Sequence, residues 1–109
     1  MTFLSVRIVR LVDDSFPGWV DCEFTDVRGR HHTITEKYAV LTHKMLDADS
    51  EYPTRGSMPC EVLHRYQNEN GRACVRITTD KPLSIESNEG VSEFEVPEEL
   101  VSSAPDSSP

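Results

Sequence analysis

Trp19-Val20-Asp21-Cys22-Glu23-Phe24-Thr25 is the stretch that decides the fold. Apolar Val20, Cys22 and Phe24 take every second position, with Asp21, Glu23 and Thr25 between them. Side chains repeat every two residues along a strand and every 3.6 along a helix, so only a strand brings these three apolar groups to one face. Upstream, Asp13-Asp14-Ser15-Phe16-Pro17-Gly18 is a turn cluster punctuated by Pro and Gly. Before it, Thr2 to Val12 alternates, with Leu4, Val6 and Ile8 on one face and Phe3, Ser5, Arg7 and Val9 on the other. Downstream, Asp26-Val27-Arg28-Gly29 turns the chain and Arg30 to Lys37 returns it as the second arm of a hairpin.

The same pattern continues towards the C-terminus. Tyr38 to Thr42 reads as one more short strand, His43 to Ala48 as a helical turn at most, and Asp47 to Gly56 as a surface loop. Cys60 to Tyr66 and Arg72 to Thr79 flank Gln67-Asn68-Glu69-Asn70-Gly71, a turn sequence because Asn and Gly tolerate positive φ. A five-residue loop there places Tyr66 opposite Arg72 and His64 opposite Cys74. Leu83 to Ser87 and Val91 to Val96 read as a last hairpin around Asn88-Glu89-Gly90. Pro97 to Val101 suits a single helical turn, with Pro at its first position and Glu98 and Glu99 near the positive end of its dipole. The expectation is an all-β fold, a small antiparallel barrel or sandwich of seven to eight short strands with a short C-terminal helical turn. Residues 1–101 form the single domain, and 102–109, Ser-Ser-Ala-Pro-Asp-Ser-Ser-Pro, a disordered tail. A domain of this size buries roughly 65% of its unfolded surface and needs no disulfide or metal.

Charge is distributed unevenly. The chain carries a net −8. Residues 82–109 hold seven acids and neither Lys nor Arg, while residues 1–81 are nearly balanced. Such a field repels nucleic acid and anionic membrane and attracts a basic protein partner. Three cysteines, Cys22, Cys60 and Cys74, do not make a disulfide framework. Arg7 and Arg10 interrupt the first apolar stretch, so it reads neither as a signal peptide nor as a membrane span, and the expected compartment is cytoplasmic.

The candidate contact residues follow. Glu86, Glu89, Glu93 and Glu95, with Glu98 and Glu99, surround the last hairpin. Glu93 and Glu95 stand two apart on one strand face, an arrangement of like charges that a basic partner relieves. Trp19 either anchors an interface or plugs one end of the barrel. Asp47, Asp49 and Glu51 occupy a loop that lacks the glycine and distal glutamate of a calcium site, so it reads as a solvated contact loop. His31 and His32, neighbours on a strand, point to opposite faces and do not share one metal ion. No metal and no cofactor are expected. Cys22 belongs to the core, whereas Cys74 with His64 offers the one nucleophile-and-base pairing, the basis of an alternative reading as a metal- or cysteine-dependent enzyme.

Pro17-Gly18-Trp19-Val20-Asp21-Cys22, Asp26 with Gly29, Glu36-Lys37, Leu46-Asp47-Ala48-Asp49-Ser50 with Tyr52-Pro53, Cys60-Glu61-Val62, Ile85-Glu86-Ser87 and Phe94-Glu95-Val96 carry a resemblance. Through them the chain resembles a family of small uncharacterised bacterial proteins. The likeness runs from about residue 16 to the end of the last strand. Members are similar in having Pro-Trp-Gly before Ile-Glu-Ser, where this chain has Pro82-Leu83-Ser84. The resemblance implies no activity and brings no catalytic residues. The expected function, from charge and size, is a non-enzymatic acidic binding protein. Its sharpest form is an immunity or inhibitor protein that neutralises a basic, nuclease-like bacterial toxin. An accessory subunit of a larger assembly is the other binding alternative. The oligomeric state is left open.

Overall fold

The computed structural model describes residues 1–104. Its elements are β1 (Thr2–Asp13), β2 (Trp19–Thr25), β3 (His31–Lys37), α1 (Tyr38–Leu41), β4 (Thr54–Gln67), β5 (Ala73–Thr78), β6 (Glu93–Pro97), a 3-10 turn (Glu98–Leu100) and β7 (Val101–Ser102). The strands run β3-β2-β1-β4-β5-β6 through one curled antiparallel sheet, a half-barrel, and β7 pairs with β1. β4 holds the two halves together. Its first half pairs with β1, as in Ile8↔Thr54 and Thr2↔Cys60, and its second half with β5, as in Glu61↔Thr78 and Gln67↔Ala73.

The alternation read from sequence sets the core. Leu4, Val6 and Ile8 of β1, Val20, Cys22 and Phe24 of β2, and Ile34 of β3 are buried on the concave side. Met58, Cys60, Val75, Ile77, Phe94 and Val96 meet them from the other half. Burying one such Ile or Leu side chain contributes about 1.5–3 kcal/mol, so the shared interior, not the hairpins separately, holds the fold.

The two outer edges of the curl are covered. Between β5 and β6 the chain forms a strap, residues 79–92, along β3. Asn88 N–H donates to the Thr33 carbonyl at 2.9 Å, and the Asn88 side chain accepts from Thr35 N–H at 3.1 Å. At the other edge Val27 N–H donates to the Glu95 carbonyl at 2.9 Å, tying the β2–β3 turn to β6. Both contacts occupy backbone groups that would otherwise invite a foreign strand.

Four local expectations are corrected. Tyr38–Leu41 is one helical turn, not a strand. Lys37 lies opposite Trp19, the first residue of β2, so beyond the Tyr38 N–H to Gly18 O bond a longer β3 would have no strand partner. The chain instead satisfies itself through Thr42 N–H to Tyr38 O and buries Leu41. His43 to Ala48 correspondingly carries no helix. Residues 83–87 form no strand, because Ser84 has φ of 56° and Thr79 Oγ1 donates to the Ile85 carbonyl at 2.7 Å, which turns Ile85 into the core. The β4–β5 loop spans Asn68 to Arg72, so Tyr66 faces Cys74 and His64 faces Arg76. Asn68 causes the shift: its Oδ1 accepts from both Asn70 N–H and Arg72 N–H, while its own N–H donates to Arg72 O.

The C-terminal helical turn is present as the 3-10 turn at Glu98–Leu100. Ser102, the first residue of the expected tail, pairs with Phe3. Residues 105–109 of that tail lie outside the described residues.

Candidate functional site

The acidic third is largely neutralised in space. Glu93 accepts from Arg76 at 2.8 Å, Glu98 from Arg65 at 2.8 Å and Glu99 from Arg72 at 2.8 Å. Glu95 accepts from Tyr66 Oη at 2.6 Å and from Arg28 at 3.0 Å. The Tyr66 hydrogen bond leads in holding the Glu95 carboxyl below its usual range, and the same bond pushes the Tyr66 phenol up to about 12. Glu93 and Glu95 thus lie beside arginines rather than only beside each other. Glu86 and Glu89 stand exposed on the strap.

At the β2–β3 turn, Asp26 organises the backbone. Its Oδ1 accepts from Arg28 N–H at 2.8 Å and Arg30 N–H at 3.0 Å, and its Oδ2 lies 2.8 Å from His32 Nε2. An ionised carboxylate only accepts, so Nε2 carries the proton. The pair is nearly enclosed, with side chains 16% and 10% exposed for His32 and Asp26. The His32 ring lies 5.2 Å from Phe24 and 4.8 Å from Phe94.

Burial pushes the Asp26 carboxyl up, but the bonds from His32, Arg30 and Arg28 outweigh it and hold it below its ordinary value. A depressed carboxylate contributes stability that is present above its unfolded pKa of about 4 and is lost as pH falls through the folded value. Urea unfolding from pH 6 to pH 2.5 is therefore expected to show a steeper acid loss for the native chain than for Asp26→Asn. Equal slopes would remove Asp26 from the acid response.

The Cys74–His64 pairing does not form. His64 stacks on Tyr66, centroids 5.8 Å apart, and Cys74 Sγ donates to Arg72 O at 3.4 Å. Cys74 lies on the outer face with Tyr66 and Glu95, not in the core cluster, although it is buried. Cys22 and Cys60 are core residues, and burial pushes their thiols up to about 12 and about 11. Among the described residues no group of three or more His, Cys, Asp or Glu could hold a metal ion, and no helix is long and apolar enough to cross a membrane.

The opposite end of the sheet is built differently. β1 ends, β2 begins, β3 ends and β4 begins there. The β1–β2 ribbon extends to Asp13↔Trp19, beyond Ile8↔Thr54 where β4 starts, so its tip projects. At that tip Phe16 is 99% exposed. The tip is nonetheless fixed: Gly18 N–H donates to Ser15 O at 2.7 Å, Ser15 N–H to Asp13 Oδ1 at 2.9 Å, and Tyr38 N–H to Gly18 O at 3.0 Å. Trp19 is half-buried on the outer face of β2, with Lys37 Nζ 5.6 Å from the centroid of its ring, and lies outside the core cluster. The adjacent loop carries Met45, 85% exposed, with exposed Asp49 and Glu51. Asp47 closes that loop, its Oδ1 accepting from Asp49 N–H at 2.9 Å.

Sequence reasoning missed Phe16 and Met45. The available signal was a large apolar residue inside a turn cluster, where no strand face exists to bury it. Asp21, on the face of β2 opposite Val20, Cys22 and Phe24, is 6% exposed, held by Arg10 at 2.7 Å and by the Thr35 hydroxyl at 2.6 Å.

No family model matches the chain, and no curated protein and no solved structure matches it.

Proposed function

We propose that this is a non-enzymatic binding protein that docks a basic protein partner on the projecting end of its sheet. The observation that carries the reading is Phe16, 99% exposed on a tip whose backbone is pinned. An exposed aromatic gains by entering an apolar pocket, and a tip whose backbone is already held loses less entropy in docking, which is how interface anchors work. Asp13, Asp14, Asp49 and Glu51 surround that end as exposed acids, and Trp19 and Met45 add apolar area. With Lys37 and Lys44 also at that end, the acids outnumber the cations around the aromatic centre, which fits a partner with an apolar pocket flanked mainly by Lys and Arg. An inhibitor of a basic, nuclease-like toxin is one instance of such a protein. A constitutive subunit of a larger assembly is another, and the identity of the partner separates them.

The test is capture from the native cell at low and high salt, followed by affinity measurement on the captured protein. Phe16→Ala is expected to weaken binding by about 30-fold, the scale of a hot-spot residue, with stability unchanged within about 0.5 kcal/mol. Asp14→Lys with Asp49→Lys is expected to slow association and flatten its salt dependence. Undiminished binding by Phe16→Ala would sink the reading.

A further inference from the structure

A second site, at the other end of the sheet from Phe16, is a slot where β1 and β2 part. β2 pairs with β1 only as far down as Arg7↔Glu23. β7 takes up the same side of β1 at Leu4↔Val101 and Phe3↔Ser102. Between these pairings Ser5 and Val6 have no strand partner on that side. Across the gap Phe24 and Thr25 pair with β3 alone, through His32 and His31. The slot holds about 600 Å³, within the range of small-molecule sites, and Val6, Phe24, Pro97 and Leu100 give it apolar walls.

Its charged lining is already engaged. Arg7 lies 3.7 Å from Glu23, and Arg72 lies 2.8 Å from Glu99. Asp26 spends both oxygens on His32 and two backbone N–H groups, and His31 Nδ1 lies 2.8 Å from the Thr25 hydroxyl. An ionic ligand would have to compete with pairs already formed, which gains little at exposed positions. The cavity of about 650 Å³ on the far side of the β2–β3 turn differs, since the Arg30 and Glu89 side chains there have no partner among the described residues. What the slot offers is apolar wall and two facing strand edges. Paired strands sit about 4.8 Å apart with their N–H and C=O groups in the sheet plane, so edges that have parted address a flat group lying between them.

We propose that the slot between β1 and β2 binds a small, planar, uncharged ring bearing an amide edge. One face of the ring lies over Val6 and Phe24, and the amide meets the backbone groups of Ser5 and Thr25 and the Ser5 hydroxyl. This is a ligand site independent of protein docking at Phe16.

The experiment is a two-dimensional amide NMR titration of the full chain with three probes. Nicotinamide has ring and amide, nicotinate replaces the amide by a charge, and N,N-dimethylnicotinamide removes the donors. Nicotinamide is expected to give saturable shifts confined to Ser5–Arg7, Phe24–Asp26 and Leu100, with affinity roughly tenfold above the other two probes. Leu100→Trp, which adds bulk to the apolar wall, is expected to abolish the shifts while the remaining spectrum stays folded. Absence of saturation up to about 20 mM, equal binding of all three probes, or shifts centred elsewhere would overturn the site. Should Leu100→Trp fail to fold, the three-probe comparison on the native chain decides by itself.

Discussion

Phe94→Ala is expected to lower stability by about 3–5 kcal/mol, read as the shift of the urea midpoint at constant slope. Phe94 is 4% exposed and stands where the curl comes nearest to closing. Its ring meets Phe24 edge-on, centroids 5.0 Å apart at 90°, and lies 4.8 Å from His32. Truncation to alanine removes the apolar transfer energy and leaves a hole lined by a second aromatic ring and by His32, which is anchored to Asp26. Neither can swing in to fill it without breaking its own contacts. Phe94→Leu keeps most of the volume and is expected to cost less than half as much. A loss under 1 kcal/mol for Phe94→Ala would mean that the two halves of the sheet do not depend on this contact.

Gly18→Ala is the second large effect, about 2–4 kcal/mol, from two independent causes. Gly18 has φ of +83°, where a side chain is strained by its own carbonyl, and its Cα faces the ring of Tyr38 so closely that an added methyl would overlap Cε2 and Cδ2. The two causes separate in a double-mutant cycle. Tyr38→Ala removes the overlap but not the φ strain, so Gly18→Ala is expected to cost about 1–2 kcal/mol in that background. Full additivity would show that the Tyr38 ring simply moves aside. Gly29, which has a similar φ of +81° with open space around it, should lose only the conformational part on the same substitution.

What could be read from the sequence is what alternation encodes. Val20, Cys22 and Phe24 against Asp21 and Glu23 assign both faces of β2, and Leu4, Val6 and Ile8 do the same for β1, because period two leaves no other common face. Tyr38–Leu41 escaped because nothing in its composition records that β2 starts opposite Lys37. The strap escaped for a related reason: Ile85 and Ser87 alternate like a strand, but they point inward from a segment bent at Ser84. The pairing of the acidic third with arginines escaped because its partners are remote. Arg28 is 67 residues from Glu95, Arg65 is 33 from Glu98 and Arg72 is 27 from Glu99. Net charge sums over the chain, whereas pairing depends on which strands the turns bring together. Phe16 was visible all along as a letter, but its exposure follows from how far the β1–β2 ribbon outruns β4.

The division of β4 between two pairings bears on the order in which the chain leaves the ribosome. Residues 1–37 complete β1, β2 and β3 before any of β4 exists. That nascent meander presents Val20, Cys22, Phe24 and Ile34 on a face whose cover, Ile77, Phe94 and Val96, is encoded some 40 to 60 residues later. At translation rates of about 5–20 residues per second, the face stays bare for roughly 2–12 s. During that interval the meander is a sticky, half-finished surface, and its survival depends on holdase chaperones or on low local concentration rather than on its own contacts. The mature protein, by contrast, has no separately stable half to fall back on, so it should be lost in one cooperative step.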